Sequence, residues 1–228
     1  MLQAHRLECT RGDRTLFRGL SFSVAPAQLL HLAGANGAGK TSLLRILCGL
    51  LSPTHGEVRW GGRPIASTRE EYAAQLLYIG HSNALKDELT ALENLEIGAT
   101  LAGRRCTRDA AFDALEELGV GRCAQLPVRA LSQGQRRRVS LARLALGGMG
   151  AMGATGARGG GGGNGAGLWI LDEPFAALDT AAVTHLENLI ASHVTAGGMV
   201  VLTTHQPLAI ATVGMFRIEL DYEMDARL

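Results

Sequence analysis

Cysteine is scarce in this 228-residue sequence, and its four copies lie far apart. They are Cys9, Cys48, Cys106 and Cys123, and no two of them form a CxxC pair. Structural zinc sites and small disulfide-stabilised domains both depend on closely patterned cysteines. The spacing therefore argues against both and indicates a reducing compartment.

Long apolar runs and a strong net charge are also missing. No run reaches the roughly 20 residues that cross a bilayer, and the N-terminal "MLQAHRLECT" lacks the apolar core of a signal peptide. The formal net charge is +1, whereas dedicated nucleic-acid binders are usually more basic. We therefore expect a soluble, cytoplasmic protein that binds no nucleic acid and reaches a membrane only through a partner.

Short apolar runs alternate with helical patterns along the chain. The apolar runs predict strands at 27–34, 76–80, 168–172 and 199–204. Apolar residues at helical spacing predict a helix at 40–51 and two more between 89 and 118. Strands that are apolar on both faces are typical of a parallel sheet covered by helices. With 46% hydrophobic residues, the chain is predicted to form one α/β domain over 1–228.

Two segments depart from this alternation. A helical insertion, or subdomain, is predicted at about 83–135. Residues 147–167 contain 12 glycines in 21 positions, and such a composition cannot offset the entropy of ordering the chain. This stretch is predicted to be a flexible surface loop, either an insertion without catalytic function or a segment that serves regulation or partner binding.

The segment "GANGAGKT" (34–41) matches the pattern G-x-x-x-x-G-K-S/T. It follows a predicted strand and opens a predicted helix, the context in which this pattern binds phosphate. Its glycines allow successive N–H groups to converge on phosphate oxygens at the helix N-terminus. Lys40 is predicted to reach the β- and γ-phosphates, Thr41 to ligate Mg²⁺ and Ser42 to contact an inner phosphate. The predicted nucleotide-binding stretch comprises Gly34, Ala35, Asn36, Gly37, Ala38, Gly39, Lys40, Thr41 and Ser42.

Polar residues that follow two buried strands complete this site. In "LWILDEP" (168–174), a carboxylate at the tip of a buried strand is costly unless it meets a cation. Asp172 is therefore predicted to bind the same Mg²⁺ as Thr41, and Glu173 to polarise the attacking water. His205 follows the strand at 199–204, at the edge where parallel sheets bind ligands. It is predicted to contact the γ-phosphate or the attacking water.

The segment "LSQGQRRRVSLARL" (131–144) is compatible with three interpretations. It could be a basic helix on nucleic acid, a solvated helix face, or half of a phosphate site. Ser132 and Gln135 have the spacing of a capping box, which predicts that a helix begins here. The segment has no catalytic residue of its own, so the residues alone leave these alternatives open.

The motifs together resemble the nucleotide-binding subunits of ABC transporters. The resemblance rests on "GANGAGKTSLLRILCGL", "LSQGQRRRVSLARL" and "LWILDEPFAALD", and covers nearly the whole chain outside the glycine-rich stretch. It implies a P-loop NTPase of the ABC ATPase type, with a mainly parallel sheet, an antiparallel β part and a helical subdomain. The segments "RTLF", "YIGHSNALKDELTALENL" and "TTHQPL" are similar to the ATP-binding subunits of the cytochrome c maturation (Ccm) system.

The resemblance also assigns residues that the phosphate motifs do not include. "LSQGQ" resembles the ABC signature, usually LSGGQ, so Ser132, Gly134 and Gln135 would contact the ATP held by an opposite subunit. Asp179 in "AALD" would lie at the dimer interface. His81 stands where the family usually has the Q-loop glutamine, and Arg11 where it usually has an adenine-stacking aromatic. Arg136 to Arg138 are predicted to form a solvated or intersubunit face.

The function implied is ATP hydrolysis by a homodimer that uses ATP and Mg²⁺. The dimer would lie on the cytoplasmic face of the bacterial inner membrane, bound to membrane-spanning Ccm subunits, and power haem export or delivery for c-type cytochromes. Nothing in the chain resembles a haem site, and no CxxCH occurs. Two alternatives are an ABC transporter ATPase for another cargo and a soluble ABC ATPase that acts outside transport.

Overall fold

The computed structural model describes residues 1–149, 167–210 and 214–220. Within these ranges the chain forms nine strands: β1 (Leu2–Arg11), β2 (Arg14–Val24), β3 (Leu29–Gly34), β4 (His55–Trp60), β5 (Arg63–Pro64), β6 (Leu76–Ile79), β7 (Leu168–Asp172), β8 (Met199–Thr203) and β9 (Met215–Leu220). The α-helices there are α1 (Lys40–Leu47), α2 (Arg69–Gln75), α3 (Ala91–Leu101), α4 (Arg108–Glu117), α5 (Gln133–Met149) and α6 (Thr180–Thr195). No described helix is long and apolar enough to cross a membrane.

The strands form two sheets of different type. Strands β6, β7, β8, β3 and β9 lie side by side in that order, and each neighbouring pair is parallel. Strands β2, β1, β4 and β5 form an antiparallel sheet. The predicted fold class, a mainly parallel sheet with an antiparallel part and packed helices, is confirmed.

Alternate residues of the parallel strands pack into two separate cores. In β7, Trp169 and Leu171 face a core shared with α3, α4, α5 and α6, whereas Leu168 and Ile170 face a core shared with α1 and the antiparallel sheet. Because both faces are covered, every residue of β7 and β8 is buried. This explains why those strands are continuous apolar runs and not alternating ones.

Helices α3 and α4 occupy the two helical patterns predicted between 89 and 118. Thr90 begins α3 with a capping box, in which its hydroxyl accepts from the Glu93 N–H while the Glu93 carboxylate accepts from the Thr90 N–H. The subdomain predicted at about 83–135 contains both helices, and its C-terminal limit falls inside α5. That it is a unit of its own stays a prediction.

Two predicted boundaries are wrong. The helix predicted for 40–51 ends at Leu47, because Gly49 has a left-handed backbone (φ 71°) that satisfies the last carbonyls and stops the helix. The glycine-rich stretch predicted at 147–167 begins later, because α5 continues to Met149. At its other end, Gly167 accepts a hydrogen bond from the Met199 N–H beside β7. The rest of that predicted loop, residues 150–166, lies outside the described residues.

Candidate functional site

The carboxyl ends of the parallel strands bring the predicted site residues together. Strand β3 leads into the phosphate-binding segment, β6 into His81, β7 into Asp172 and Glu173, and β8 into His205. Because the strands are parallel, these ends meet at one edge of the sheet. They surround a cavity of about 440 Å³ whose lining residues are Leu16, Asn36, Gly37, Gly39, Lys40, Thr41, Ser42, His81, Asp172, Glu173 and His205.

The segment 34–41 turns from β3 into α1 through left-handed glycines. Gly37 and Gly39 have φ values of 81° and 97°, and Gly39 is the residue before the first helical turn. The first N–H groups of a helix have no partner within it, so they point at the cavity as anion donors. Lys40 is 9% exposed, and its Nζ donates to the carbonyls of Gly34 at 2.6 Å and Ala35 at 3.0 Å. Two carbonyls of the loop thus hold the Lys40 ammonium group at the N-terminus of α1.

Glycine stands at each of the three positions in this segment for a different structural reason. A Cβ on Gly34 would lie 2.5 Å from the Leu220 carbonyl of neighbouring β9, so this position is fixed by strand packing. A Cβ on Gly39 would lie 3.0 Å from Leu16. A Cβ on Gly37 would meet nothing within 4 Å, so Gly37 serves the backbone conformation and leaves space in the cavity.

Asp172 ends β7 with both carboxylate oxygens bound to hydroxyl groups. The Thr41 hydroxyl donates to one oxygen at 2.9 Å, and the Thr203 hydroxyl donates to the other at 2.8 Å. The aspartate is 3% exposed, and a buried carboxylate of this kind is stable only when it is hydrogen-bonded or meets a cation. Asp172 and Thr41 are thus in direct contact, and their predicted binding of a common Mg²⁺ stays a prediction.

Glu173 has an unusual backbone conformation, and one of its carboxylate oxygens has no hydrogen-bond partner among the described residues. Its φ is 48°, in the left-handed region that non-glycine residues rarely adopt. Its Oε1 is buried without a hydrogen-bond partner among the described residues, and His205 Nε2 lies 3.5 Å away. The Glu173 N–H donates to the Thr203 hydroxyl at 3.0 Å. A buried acceptor beside a histidine, next to the phosphate-binding loop, suits a water molecule that is to be polarised.

The residues at the start of α5 lie away from this cavity. Ser132 and Gln135 form the predicted capping box: the Gln135 N–H donates to the Ser132 hydroxyl at 3.3 Å, and the Ser132 N–H donates to Gln135 Oε1 at 2.8 Å. Ser132 is exposed, and a Cβ on Gly134 would lie 3.0 Å from the Ala177 carbonyl. Ser132, Gly134 and Gln135 therefore form a helix start that faces outward, with none of them lining the cavity.

Asp179 joins α6 to α5. One carboxylate oxygen accepts from the Ala182 N–H at 2.9 Å and caps α6, and the other pairs with the Arg138 guanidinium. The Ala182 N–H is the main cause that lowers the pKa of this carboxyl, with a smaller contribution from Arg138. The residue is largely exposed, so it can meet a second chain without leaving its cap.

Arg11 lies at the turn-proximal end of β1, exposed to solvent, and does not line the cavity. Leu16, on the other strand of the hairpin, does line the cavity, and the sequence reasoning missed it. The signal that could have indicated it is the apolar pair of Leu16 and Phe17 close to the hairpin turn.

The expectation that Arg136 to Arg138 form one solvated or intersubunit face is wrong for Arg137. This residue is 4% exposed and points into the protein, where it binds main-chain carbonyls. It lies three, four and seven residues before three buried residues of α5, Ser140, Leu141 and Leu144, which is the spacing of one helix face. That periodicity, and the apolar face it defines, was the missed signal. Thr203 was also missed, as a polar residue at the end of a buried strand.

The residues present fit a bound Mg²⁺ and phosphate chain. Mg²⁺ prefers hard oxygen ligands and usually takes only one or two from the protein, with phosphates and water supplying the rest. The Thr41 hydroxyl and the Asp172 carboxylate are such a pair, 2.9 Å apart beneath the helix N-terminus. The described residues contain no group of three or more His, Cys, Asp or Glu that could hold a metal ion.

The fold and the site together define a class of protein. A sequence model of the ABC transporter family matches residues 17–149, more than half of the chain. The matched residues include β3, the glycine loop at the start of α1 and helix α5. The chain belongs to the ABC transporter family, as a nucleotide-binding subunit.

Within that family the similar relatives share one description. The chain is 53% identical to the cytochrome c biogenesis ATP-binding export protein CcmA of Aromatoleum aromaticum over 92% of this chain and 91% of the relative. It is 44% identical to the protein of the same description in Escherichia coli K12, over 96% of each chain. The chain therefore belongs to the CcmA branch of the ABC transporters, and the predicted resemblance is confirmed.

Solved structures agree with the fold. A dimeric ATP-binding cassette in a post-hydrolysis state, bound to ADP and Pi, superposes with a TM-score of 0.77 at 22% identity, over 98% of this chain and 97% of that one. An ATP-binding subunit of an ABC transporter superposes with a TM-score of 0.73 at 24% identity, over 90% and 79%. At these identities the likeness concerns the fold alone.

Proposed function

We propose that the chain hydrolyses Mg²⁺-ATP and thereby powers a transporter that exports or delivers haem for the assembly of c-type cytochromes. The observation that carries the hydrolytic part is the contact between Thr41 and Asp172 at 2.9 Å, beside a buried Glu173 carboxylate oxygen without a hydrogen-bond partner among the described residues. The relatives' description as cytochrome c biogenesis export proteins supports the transport part.

The phosphate chain of ATP binds over the N-terminus of α1. The amide groups of 37–42 and the Lys40 ammonium donate to phosphate oxygens, and Lys40 exchanges its carbonyl partners Gly34 and Ala35 for the β- and γ-phosphates. Thr41 and Asp172 would hold the Mg²⁺ that, when bound, neutralises charge on those phosphates. Leu16 packs near the nucleotide, and a base contact by Arg11 stays a prediction.

Glu173 is the proposed base for hydrolysis. Its carboxylate accepts a hydrogen bond from the attacking water and takes the proton as the water oxygen bonds to the γ-phosphorus and the bond to the leaving ADP oxygen breaks. His205 Nε2, 3.5 Å from Glu173 Oε1, orients that water or the γ-phosphate. Because the loop, Asp172 and Glu173 are fixed by the sheet, this arrangement is preorganised before the substrate binds.

Two chains are proposed to share each ATP. Ser132, Gly134 and Gln135 lie outside the cavity of their own chain, at an exposed helix start whose amides and hydroxyl suit a γ-phosphate. A second chain in a homodimer would bring this helix start over the cavity of the first. Asp179, exposed at the start of α6, would lie at the same interface.

The proposed location is the cytoplasmic face of the bacterial inner membrane, where the chain is held by membrane-spanning Ccm subunits. His81 lines the cavity and is exposed, so it can sense both the nucleotide and a neighbouring subunit. This placement supports a role in communication with those subunits.

Glu173→Gln tests the hydrolytic assignment. The substitution keeps the shape and a polar group but removes the base, and loss of one acid–base contribution lowers the rate about 10²–10⁴-fold. ATP binding by the purified chain should stay within a few-fold of the parent. Hydrolysis by Glu173→Gln at the parental rate would remove Glu173 from the mechanism.

The transport assignment is tested in the natural host. Deleting the gene should abolish haem-staining c-type cytochromes; the parent gene should restore them and the Glu173→Gln gene should not. Co-purification of the tagged chain, with identification of its membrane partners, separates the Ccm assignment from the alternatives. Normal cytochrome levels after deletion would refute the haem role and leave an ATPase for another cargo.

A further inference from the structure

Arg137 is a buried cation that the hydrolytic mechanism does not yet use. It lies in the first turns of α5 and is 4% exposed. A buried charge is costly unless hydrogen bonds satisfy it. Its hydrogen bonds go to main-chain carbonyls and one side-chain amide instead of to a carboxylate, so the residue is not one half of an ordinary ion pair.

The guanidinium group binds two segments at once. Nη2 donates to the Asp172 carbonyl at 3.0 Å and to the Glu173 carbonyl at 2.7 Å. Nη1 donates to the Gly80 carbonyl at 3.0 Å and to Asn83 Oδ1 at 3.4 Å. One side of the group thus holds the end of β7, and the other holds the residues on either side of His81.

The contact on the β7 side coincides with the strained residue. Glu173 has a φ of 48°, and a non-glycine residue keeps such a backbone only when its surroundings hold it. The carbonyl before its Cα and the carbonyl after it both accept from the same Arg137 nitrogen, and its N–H donates to Thr203 at 3.0 Å. Two buried side chains therefore fix the backbone groups that decide where the Glu173 carboxylate points.

We propose that Arg137 is a positioning residue for Glu173, holding the base in its left-handed conformation and tying it to the segment that carries His81. The inference rests on the proposed role of Glu173 in activating water. It adds that a shift of the His81 segment moves Glu173 through a shared guanidinium group, without contact between the two side chains.

The electrostatics agree with this geometry. Burial lowers the pKa of Arg137, and the nearby carboxylates of Asp172 and Glu173 act in the opposite direction. A guanidinium group nonetheless stays protonated in proteins, so the hydrogen bonds persist at every pH at which the chain is folded. The planar group with donors on both sides can bind two segments at fixed angles, whereas the single ammonium of lysine cannot reproduce that arrangement.

Substitution of Arg137 should separate catalysis from nucleotide binding. Arg137→Met keeps the bulk of a buried side chain without its donors, and Arg137→Lys keeps the charge without the two-sided geometry. Misplacing a reacting group by about 1 Å costs roughly 100-fold in rate. For Arg137→Met we expect kcat for ATP to fall by about that factor and KM to stay within about threefold. Arg137→Lys should lose roughly 10-fold in kcat.

Arg143→Gln is the matched control. Arg143 is a partly buried arginine on the same helix, and burial together with the positive charge of Arg104 lowers its pKa. Its substitution should leave kcat within about twofold, since Arg143 takes part in none of the hydrogen bonds that Asp172 and Glu173 make within the described part of the chain. Equal losses in Arg143→Gln and Arg137→Met would assign the effect to general damage of α5 and overturn the proposal.

A double-mutant cycle with Glu173→Gln gives a readout that a merely structural role would not move. If Arg137 acts by placing the carboxylate, Arg137→Met should cost much less in single-turnover hydrolysis once that carboxylate is an amide. Additive losses would refute positioning. If Arg137→Met fails to fold, Arg137→Lys carries the same cycle, and an unchanged kcat in Arg137→Lys refutes the proposal. A parent chain that hydrolyses no ATP would instead refute the proposed function itself.

Discussion

Thr203→Val removes one hydroxyl that both Asp172 and Glu173 use. Thr203 is fully buried, and its Oγ1 donates to Asp172 Oδ1 at 2.8 Å while accepting from the Glu173 N–H at 3.0 Å. Valine has nearly the same shape, so the substitution changes hydrogen bonding with little change in packing. It leaves a buried carboxylate oxygen and a buried N–H without their partner.

The size of the effect follows from these two losses. A hydrogen bond to a charged group contributes about 1.5–3 kcal/mol, and a buried donor left unsatisfied costs about 1–3 kcal/mol. Because the two share one hydroxyl and the site can relax, we expect the free energy of unfolding to fall by roughly 2–5 kcal/mol. We also expect hydrolysis to fall, since the Asp172 carboxylate and the Glu173 backbone N–H both lose the hydrogen bond that holds them in place.

Urea denaturation of the purified chain measures the first effect, and steady-state hydrolysis measures the second. Thr203→Ser keeps the hydroxyl and should lose only about 1 kcal/mol for the methyl group. Thr204→Val is a second control, because the Thr204 hydroxyl accepts from the Gln206 N–H at 3.0 Å and, within the described residues, bonds to neither Asp172 nor Glu173. If the free energy of unfolding of Thr203→Val lies within 0.5 kcal/mol of the parent value, which is roughly the effect of a surface substitution, the argument that Thr203 holds the acidic end of β7 is wrong.

Three further outcomes are expected. His81→Ala should bind ATP normally but lose stimulation of hydrolysis by the membrane partner, and abolished binding in the isolated chain would contradict this. A mixed dimer of Lys40→Ala and Ser132→Arg chains should regain one ATP-trapping site that neither homodimer has, and no recovery in proven mixed dimers would exclude shared sites. Burial lowers the pKa of His193, which stacks on Trp169, to about 4. As the pH falls from 6.5 to 4, the unfolded chain takes up this proton before the folded chain does, so the free energy of unfolding should fall by up to about 1.4 kcal/mol per pH unit. Urea titrations of His193→Gln should show a smaller dependence on pH.

The strands and the phosphate loop were predictable because their causes are local. Residues 168–171 and 199–202 are apolar at every position, so any arrangement that buries them must cover both faces. In the same way, the turn of 34–41 and the contacts of Lys40 with Gly34 and Ala35 all lie within eight residues of chain. Neither feature depends on knowing the order of the strands.

The helix ends were less predictable because they depend on single residues. The helix that begins at Lys40 ends when Gly49 turns left-handed, although the apolar pattern continues through Leu50 and Leu51. Exposure of Leu50 in the structure shows that this continuation does not mark a buried helix face. Apolar spacing alone cannot distinguish the last turn of a helix from the loop that follows it.

The residues that sequence reasoning missed are those whose partners come from other strands. Thr203 is near Asp172 only because β7 and β8 are neighbours in register, and the register pairs those two residues directly. Strand order is a property of the whole sheet and cannot be read from either strand. A threonine at a strand end can make many different contacts, and the order of the strands determines that Thr203 contacts Asp172.

Arg137 shows the same limit within a single helix. The three successive arginines are indistinguishable in the sequence, yet their surroundings differ. Arg136 binds Asp87 at the surface, Arg138 pairs with Asp179, and Arg137 is buried in the protein. Successive residues of a helix point about 100° apart, so one of the three must face inward once the buried face of α5 is fixed. Its partners there are decided by β6 and β7, which are neighbouring parallel strands whose carboxyl ends both present carbonyls to α5. The left-handed Glu173 then supplies two of those carbonyls to one nitrogen, so the strain at the proposed base and the burial of the arginine have a common cause.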